Sequence, residues 1–297
     1  MQYTYLRFKS AERFLLFFIA LVVCAFVGSF IVGFVVHNGV TTKTLRIATV
    51  IQDCIIFILP SVITAVMVSV MPARFLGVDA GLSPKQLLLA TIAMLVSIPA
   101  MNWIVMLNDS LTLPECLSGM ENWMRQHEEE ARSSVKILLG SNTIGSLITD
   151  LLIVGVLAGL SEEILFRGTL QQLFSSSGIN RHVAVWLTAI IFSAIHMQFF
   201  GFVPRLLLGA YFGYLFWWSG SLWLPAIIHM LNNSIVVYST WAQDAVAKGG
   251  GDSPIDSWGV DSPTLIIASA ILTCFVVMRL KKNCDIAKYC VTIQRTR

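Results

Sequence analysis

The stretch LLIVGVLAGLSEEILFRG, residues 151–168, decides how this chain is read. From Leu151 to Leu160 no side chain is polar. Such a run suits a helix whose solvent is lipid. Glu162, Glu163 and Arg167 then follow at once. They either mark where a helix leaves the membrane or are the reason for the protein.

Composition settles the solvent. The chain has 297 residues, 56% hydrophobic and 12% charged, with a mean hydropathy of +0.75. A soluble domain carries about 25% charged residues. A helix needs about 20 apolar residues to cross the hydrocarbon core. Eight segments approach that, roughly 14–36, 48–71, 86–107, 150–172, 183–200, 204–219, 221–239 and 263–280. The expected fold is an all-α polytopic membrane bundle of about eight transmembrane helices. Three parts are expected. Residues 1–145 hold three transmembrane helices and an acidic non-cytoplasmic loop. Residues 146–240 hold a core of four transmembrane helices, and residues 241–297 a loop, the last transmembrane helix and a basic tail. The first apolar run is too long for the core of a cleavable signal. The polar stretch from about 108 to 140, with its EEEARSS run, is expected to form a short helix.

Net charge is +3, too small and too scattered to indicate nucleic acid. Its distribution does indicate orientation. The side shared by both termini collects Arg7, Lys9, Arg13, Arg74, Lys85, Arg167, Arg181 and the basic tail. The other side has Lys43, Arg46, Arg125, Arg132, Lys136, Arg205 and Lys248, and most acids, including Glu128, Asp252 and Asp256. Both termini are therefore expected in the cytoplasm, with a bacterial cell membrane the expected home. The six cysteines show neither CxxC spacing nor a disulfide framework.

Ionisable groups inside a membrane cost several kcal/mol and are rarely kept without a use. Glu163 and Arg167 are four apart, acid first, the better order for a pair on one helix face. Glu162 points about 100° away and has no local partner. A carboxylate left free in this way suits a general base. Phe192 and His196 share a face of the fifth segment, and His229 and Asn233 a face of the seventh. Each has a bland account: a charged helix end, a packed histidine, an asparagine bonded to a neighbour. Depth joins them. At 1.5 Å per residue, Glu162, His196 and His229 lie about 15–18, 20 and 12 Å from the cytoplasmic end, one layer within a few residues' error. Glu162, His196 and His229 are ligand types of a His₂Glu zinc site. They are equally the parts of a metal-free site for activating water, and no HExxH motif is present to guide the choice.

The ordered motifs EEILFR (162–167), FSAIH (192–196) and HMLNN (229–233) resemble those of the CPBP, or Abi, family of intramembrane proteases. That family includes CAAX prenyl proteases and bacteriocin-processing or immunity proteins. The resemblance covers residues 150–240. It implies an intramembrane endopeptidase acting on a membrane-associated protein or peptide, with lipid as its surroundings. By that resemblance Glu162 activates water with help from His196. His229 and Asn233 polarise the scissile carbonyl or serve as ligands, Glu163 and Arg167 support, and Phe192 packs beside the site. The family has been described both as metalloproteases and as glutamate-type proteases, so a divalent metal such as zinc stays open. The lack of another strong ligand favours the metal-free version. The alternative from a different class is a non-enzymatic membrane protein, a transporter or an immunity protein acting by binding. Asp53 and Asp150 would then be ion-pathway residues.

Overall fold

The computed structural model describes residues 6–140, 143–246 and 258–295. Lys248, Asp252, Asp256 and Arg297 lie outside the described residues. Eleven helices occur among the described residues: α1 (Ser10–Val36), α2 (Thr42–Val68), α3 (Pro72–Leu76), α4 (Pro84–Val96), α5 (Ile98–Asp109), α6 (Ser118–Leu139), α7 (Ile144–Ser176), α8 (Arg181–Ala194), α9 (Phe202–Ser219), α10 (Trp223–Val246) and α11 (Pro263–Arg295). No strand occurs among them, only one isolated bridge between Leu6 and Ser69.

Helices packed only against one another need one inward stripe and, in water, a polar outer face. Here the outer faces are apolar. On α1 the inward stripe is Arg13, Phe17, Cys24 and Gly28. Phe26, Phe30 and Phe34, four apart, are 75%, 72% and 81% exposed. An aromatic row that open is stable only against lipid, and this is an integral membrane protein.

Hydrogen bonds between distant loops define two ends of the bundle. At one, Arg13 donates to Ser176 Oγ over 2.7 Å and the Trp223 indole to the Val78 carbonyl over 3.0 Å. At the other, Thr42 donates to the Ile137 carbonyl over 2.7 Å and Asn108 to the Phe199 carbonyl over 3.2 Å. Helix α6 lies at this second end. It is a 22-residue amphipathic helix, longer than the short one expected from its polar composition.

The all-α polytopic bundle is found as expected, but the count of eight spans is not confirmed. Among the described residues five helices are long and apolar enough to cross a membrane: α1, α2, α7, Phe199–Ser219 and Pro263–Cys284. A sixth is counted if α4 and α5, bent by 47° at their junction, form one span. Helix α8 has only 14 residues, about 21 Å against a core of about 30 Å. Helix α10 has 24 residues, but His229, Asn232, Asn233 and Ser234 interrupt its apolar surface.

Small residues bring α7 and α10 together. A Cβ placed on Gly159 would lie 3.0 Å from the Met230 amide nitrogen, and one on Gly155 2.7 Å from Ser234 Oγ. Backbones this close need glycine at the contact, the small-xxx-small arrangement of membrane helix pairs. It puts His229 beside the glutamates of α7.

Candidate active site

Helix α7 is not uniform. One α-helical turn, Gly159–Glu163, lies between π-helical stretches Leu151–Ala158 and Ile164–Gln171. Wide turns of this kind often mark functional sites because they re-aim side chains. Both glutamates sit on that turn.

Glu163 and Arg167 are fully buried and form an ion pair. Their i, i+4 spacing foretold this, but not what else they hold. The same Glu163 Oε1 lies 2.8 Å from His229 Nδ1. Arg167 also donates to the Gly209 carbonyl over 2.8 Å. Its guanidinium carbon stands 4.8 Å from the Phe192 ring centre and 5.3 Å from that of Phe212. A buried cation needs such company, since an unpaired one costs several kcal/mol.

His229 stacks on Phe212 with ring centres 4.6 Å apart. Its Nδ1 donates to Glu163, which leaves Nε2 aimed at Glu162, 3.7 Å from Oε2. Glu162 keeps 16% of its side chain exposed, whereas Glu163 keeps none. Of two adjacent carboxylates, one is consumed by structure and the other is open to water.

His196 closes the other side. It follows the last turn of α8, and its Nδ1 stands 2.7 Å from the Phe192 carbonyl. A carbonyl only accepts, so Nδ1 carries the hydrogen and Nε2 is left as the basic nitrogen. Phe192 meets His196, His229 and Phe166 edge-on, at 5.1, 6.0 and 5.1 Å. It is thus the packing hub between the two imidazoles. His196 is close enough to feel the charges of Glu162, His229 and Arg205.

Asn233 is engaged more than its motif position suggests. Its amide donates to the Val154 carbonyl over 3.2 Å, and its Oδ1 accepts from Asn232 over 3.4 Å. Asn232, whose position on the helix points it elsewhere, lines a cavity of about 710 Å³. Arg205, Leu208 and, from α6, Glu128 and Arg132 also line it.

Three residues near the site were not legible as site residues. Ser161, beside Glu162, bonds the buried Asp53 over 2.9 Å. Arg205 stood in the sequence as a loop charge beside a proline. Met197, directly after His196, has a left-handed φ of 53°. None of the three carried a signal of its own; only Asp53, the partner of Ser161, stood out as an acid within an apolar run. Asp150 is explained differently: Arg46 pairs with it through two bonds, at 2.8 and 2.7 Å. Arg46, Arg167 and Arg205 are therefore bound within the bundle rather than loop charges.

Among the described residues no three His, Cys, Asp or Glu side chains gather as a group able to hold a metal ion. Glu162, His196 and His229 come into one neighbourhood, and each imidazole is held through Nδ1, which leaves Nε2 as the nitrogen able to ligate.

Residues 144–235 match the family described as type II CAAX prenyl endopeptidase Rce1-like. A curated relative, the uncharacterized protein YpbD of Bacillus subtilis (strain 168), is 25% identical over 92 residues. The alignment covers 30% of this chain and 44% of that protein, so the chain spans less than half of its relative. No solved structure matches. The matched segment, less than a third of the chain, holds the glutamate pair, both imidazoles and the asparagine, and it is in these residues that the chain is similar to the Rce1-like, type II CAAX prenyl endopeptidases.

Proposed function

We propose that this protein is an intramembrane endopeptidase that hydrolyses a peptide bond of a membrane-associated protein or peptide. One observation carries the reading: Glu162 is accessible and faces His229 Nε2, while its neighbour Glu163 is locked to Arg167.

Glu162 takes a proton from water as the water oxygen attacks the scissile carbonyl carbon. The carbonyl electron pair moves onto its oxygen. As an imidazolium, with an N–H on each ring nitrogen, His229 offers Nε2–H to that oxygen, and the N–H of Asn233 not used on Val154 offsets its charge as well. Glu162 then returns the proton to the amide nitrogen as the carbonyl re-forms and the C–N bond breaks, leaving a carboxylic acid and an amine, which exchange the remaining proton to become carboxylate and ammonium. His196 Nε2 is a second acceptor that orients the water. Glu163 accepts from His229 Nδ1 and so fixes the direction of the ring, much as a carboxylate orients the histidine of a hydrolase. No step passes through a metal. Both termini lie on the cytoplasmic side of a bacterial membrane in this reading.

The test compares membranes from cells carrying wild-type protein, Glu162→Gln or no protein, by mass spectrometry of peptide termini. At least one new terminus should depend on wild-type protein and vanish with Glu162→Gln at equal protein level. Identical termini in all three would overturn the reading. Chelation and metal analysis on the purified protein complete it: one bound ion that tracks cleavage would replace the metal-free route.

A further inference from the structure

His196 sits in an awkward place. Helix α8 stops two residues before it, and Met197 takes the left-handed conformation at φ 53°. Side chains with a Cβ resist that conformation, so the turn must be held by its surroundings. Farther along, the holding is plain. Asn108 bonds the Phe199 carbonyl and the Val203 amide, each over 3.2 Å, and Ser193 bonds the Phe202 carbonyl over 2.7 Å. None of these reaches the residues beside His196.

Arg205 does. Its Nη1 donates to the Gln198 carbonyl over 3.2 Å and its Nη2 to Gln198 Oε1 over 2.7 Å. Two bonds from one planar guanidinium fix both position and direction, which a lysine could not do. The guanidinium is close enough to feel the charges of Glu128 on α6 and Glu162 on α7, and it lines the cavity of about 710 Å³. Gly201 leaves the space it occupies: a Cβ there would run into the guanidinium.

We propose that Arg205 is a positioning residue of the site, which clamps Gln198 and thereby fixes the turn presenting His196 Nε2 toward Glu162. Its catalytic consequence rests on the protease reading above; the clamp itself does not. A displacement of about 1 Å at a reacting group can cost on the order of 10²-fold in rate.

The test uses full-length protein in detergent and the membrane peptide that stays uncut in the Glu162→Gln strain. Arg205→Ala should lower kcat about tenfold or more with KM nearly unchanged. Gln198→Ala should do the same, and the double variant should be no worse than either single one. Added guanidinium ion, with the neighbouring cavity as its route, should restore part of the Arg205→Ala rate. Arg205→Lys should stay slow. Gly201→Ala, which displaces the guanidinium without removing it, should fall between wild type and Arg205→Ala. Hydrogen exchange over residues 195–203 should quicken in Arg205→Ala and Gln198→Ala. Unchanged exchange, additive losses, or a rise in KM alone would overturn the clamp. If exchange quickens but no peptide depends on Glu162, the clamp stands and the protease reading fails.

Discussion

His229 donates from Nδ1 to Glu163 Oε1 over 2.8 Å, the oxygen that also pairs with Arg167. Three ionisable side chains from two helices thus share one buried oxygen. The glutamate is less a partner for arginine than the peg on which the histidine hangs.

Removing that peg has two consequences. Glu163→Gln leaves Arg167 buried without its counter-charge, and breaking a buried pair costs about 3–5 kcal/mol. It should lower the thermal midpoint in detergent and abolish cleavage. A Glu163→Leu/Arg167→Met double variant should recover much of the stability but none of the activity. Recovery of both, measured by unfolding and by peptide-terminus analysis, would show that His229 needs no anchor.

On the proposed protease reading, His196 is expected to act on the reaction and not on the fold. His196→Ala removes a half-exposed ring that touches Phe192 and its carbonyl. Stability should change by less than about 1 kcal/mol, while kcat falls about 10²–10⁴-fold, the usual worth of a proton-transfer group. A large fall in stability with unchanged specific activity would reverse these roles.

The glycine contact between α7 and α10 should matter to catalysis. Gly159→Val pushes a branched side chain against the Met230 backbone. Overpacking costs about 1–3 kcal/mol, and a shift of α10 carries His229 away from Glu162. Activity should fall well beyond what the stability change explains. Gly33→Val on α1, where an added Cβ meets nothing within 4 Å, is the control.

Asp150 distinguishes an enzyme from an ion pathway. Arg46 holds it with 18% of the arginine side chain exposed. Asp150→Asn should therefore cost less than a fully buried pair, about 1–3 kcal/mol, and leave kcat unchanged. Cleavage lost in Asp150→Asn at equal protein level, or proton flux abolished by it in vesicles, would contradict a structural role.

Acid should loosen the turn before α6. Glu121 accepts the Leu113 amide over 2.8 Å and pairs with Arg125, and these bonds hold its carboxyl below the usual range. The sign follows. A lowered carboxylate contributes stability that is present above the ordinary carboxylate value and is lost as pH falls through its folded value. Trp123 fluorescence should report a transition on acidification, and Glu121→Gln should remove its pH dependence. A transition of the same size in Glu121→Gln would assign it to another group.

Much of this protein follows from local chemistry. An uninterrupted apolar run can only bury itself in lipid, so the helical membrane architecture was legible from composition and segment length. Charged residues four apart on such a run must find each other, so the Glu163–Arg167 pair and the freedom of Glu162 were legible too. Spacing within one helix is fixed by 3.6 residues per turn and needs no knowledge of neighbours. What lies between helices is not fixed in that way. Whether α8 spans or stops short, which face of α10 meets the glycines of α7, and which nitrogen of His229 meets Glu163 depend on packing among distant segments. The left-handed turn at Met197, the pairing of Asp150 with Arg46 and the grip of Arg205 on Gln198 belong to the same class. Each joins groups that the sequence lists as unrelated, because their energies arise only once helices exclude lipid and water between them.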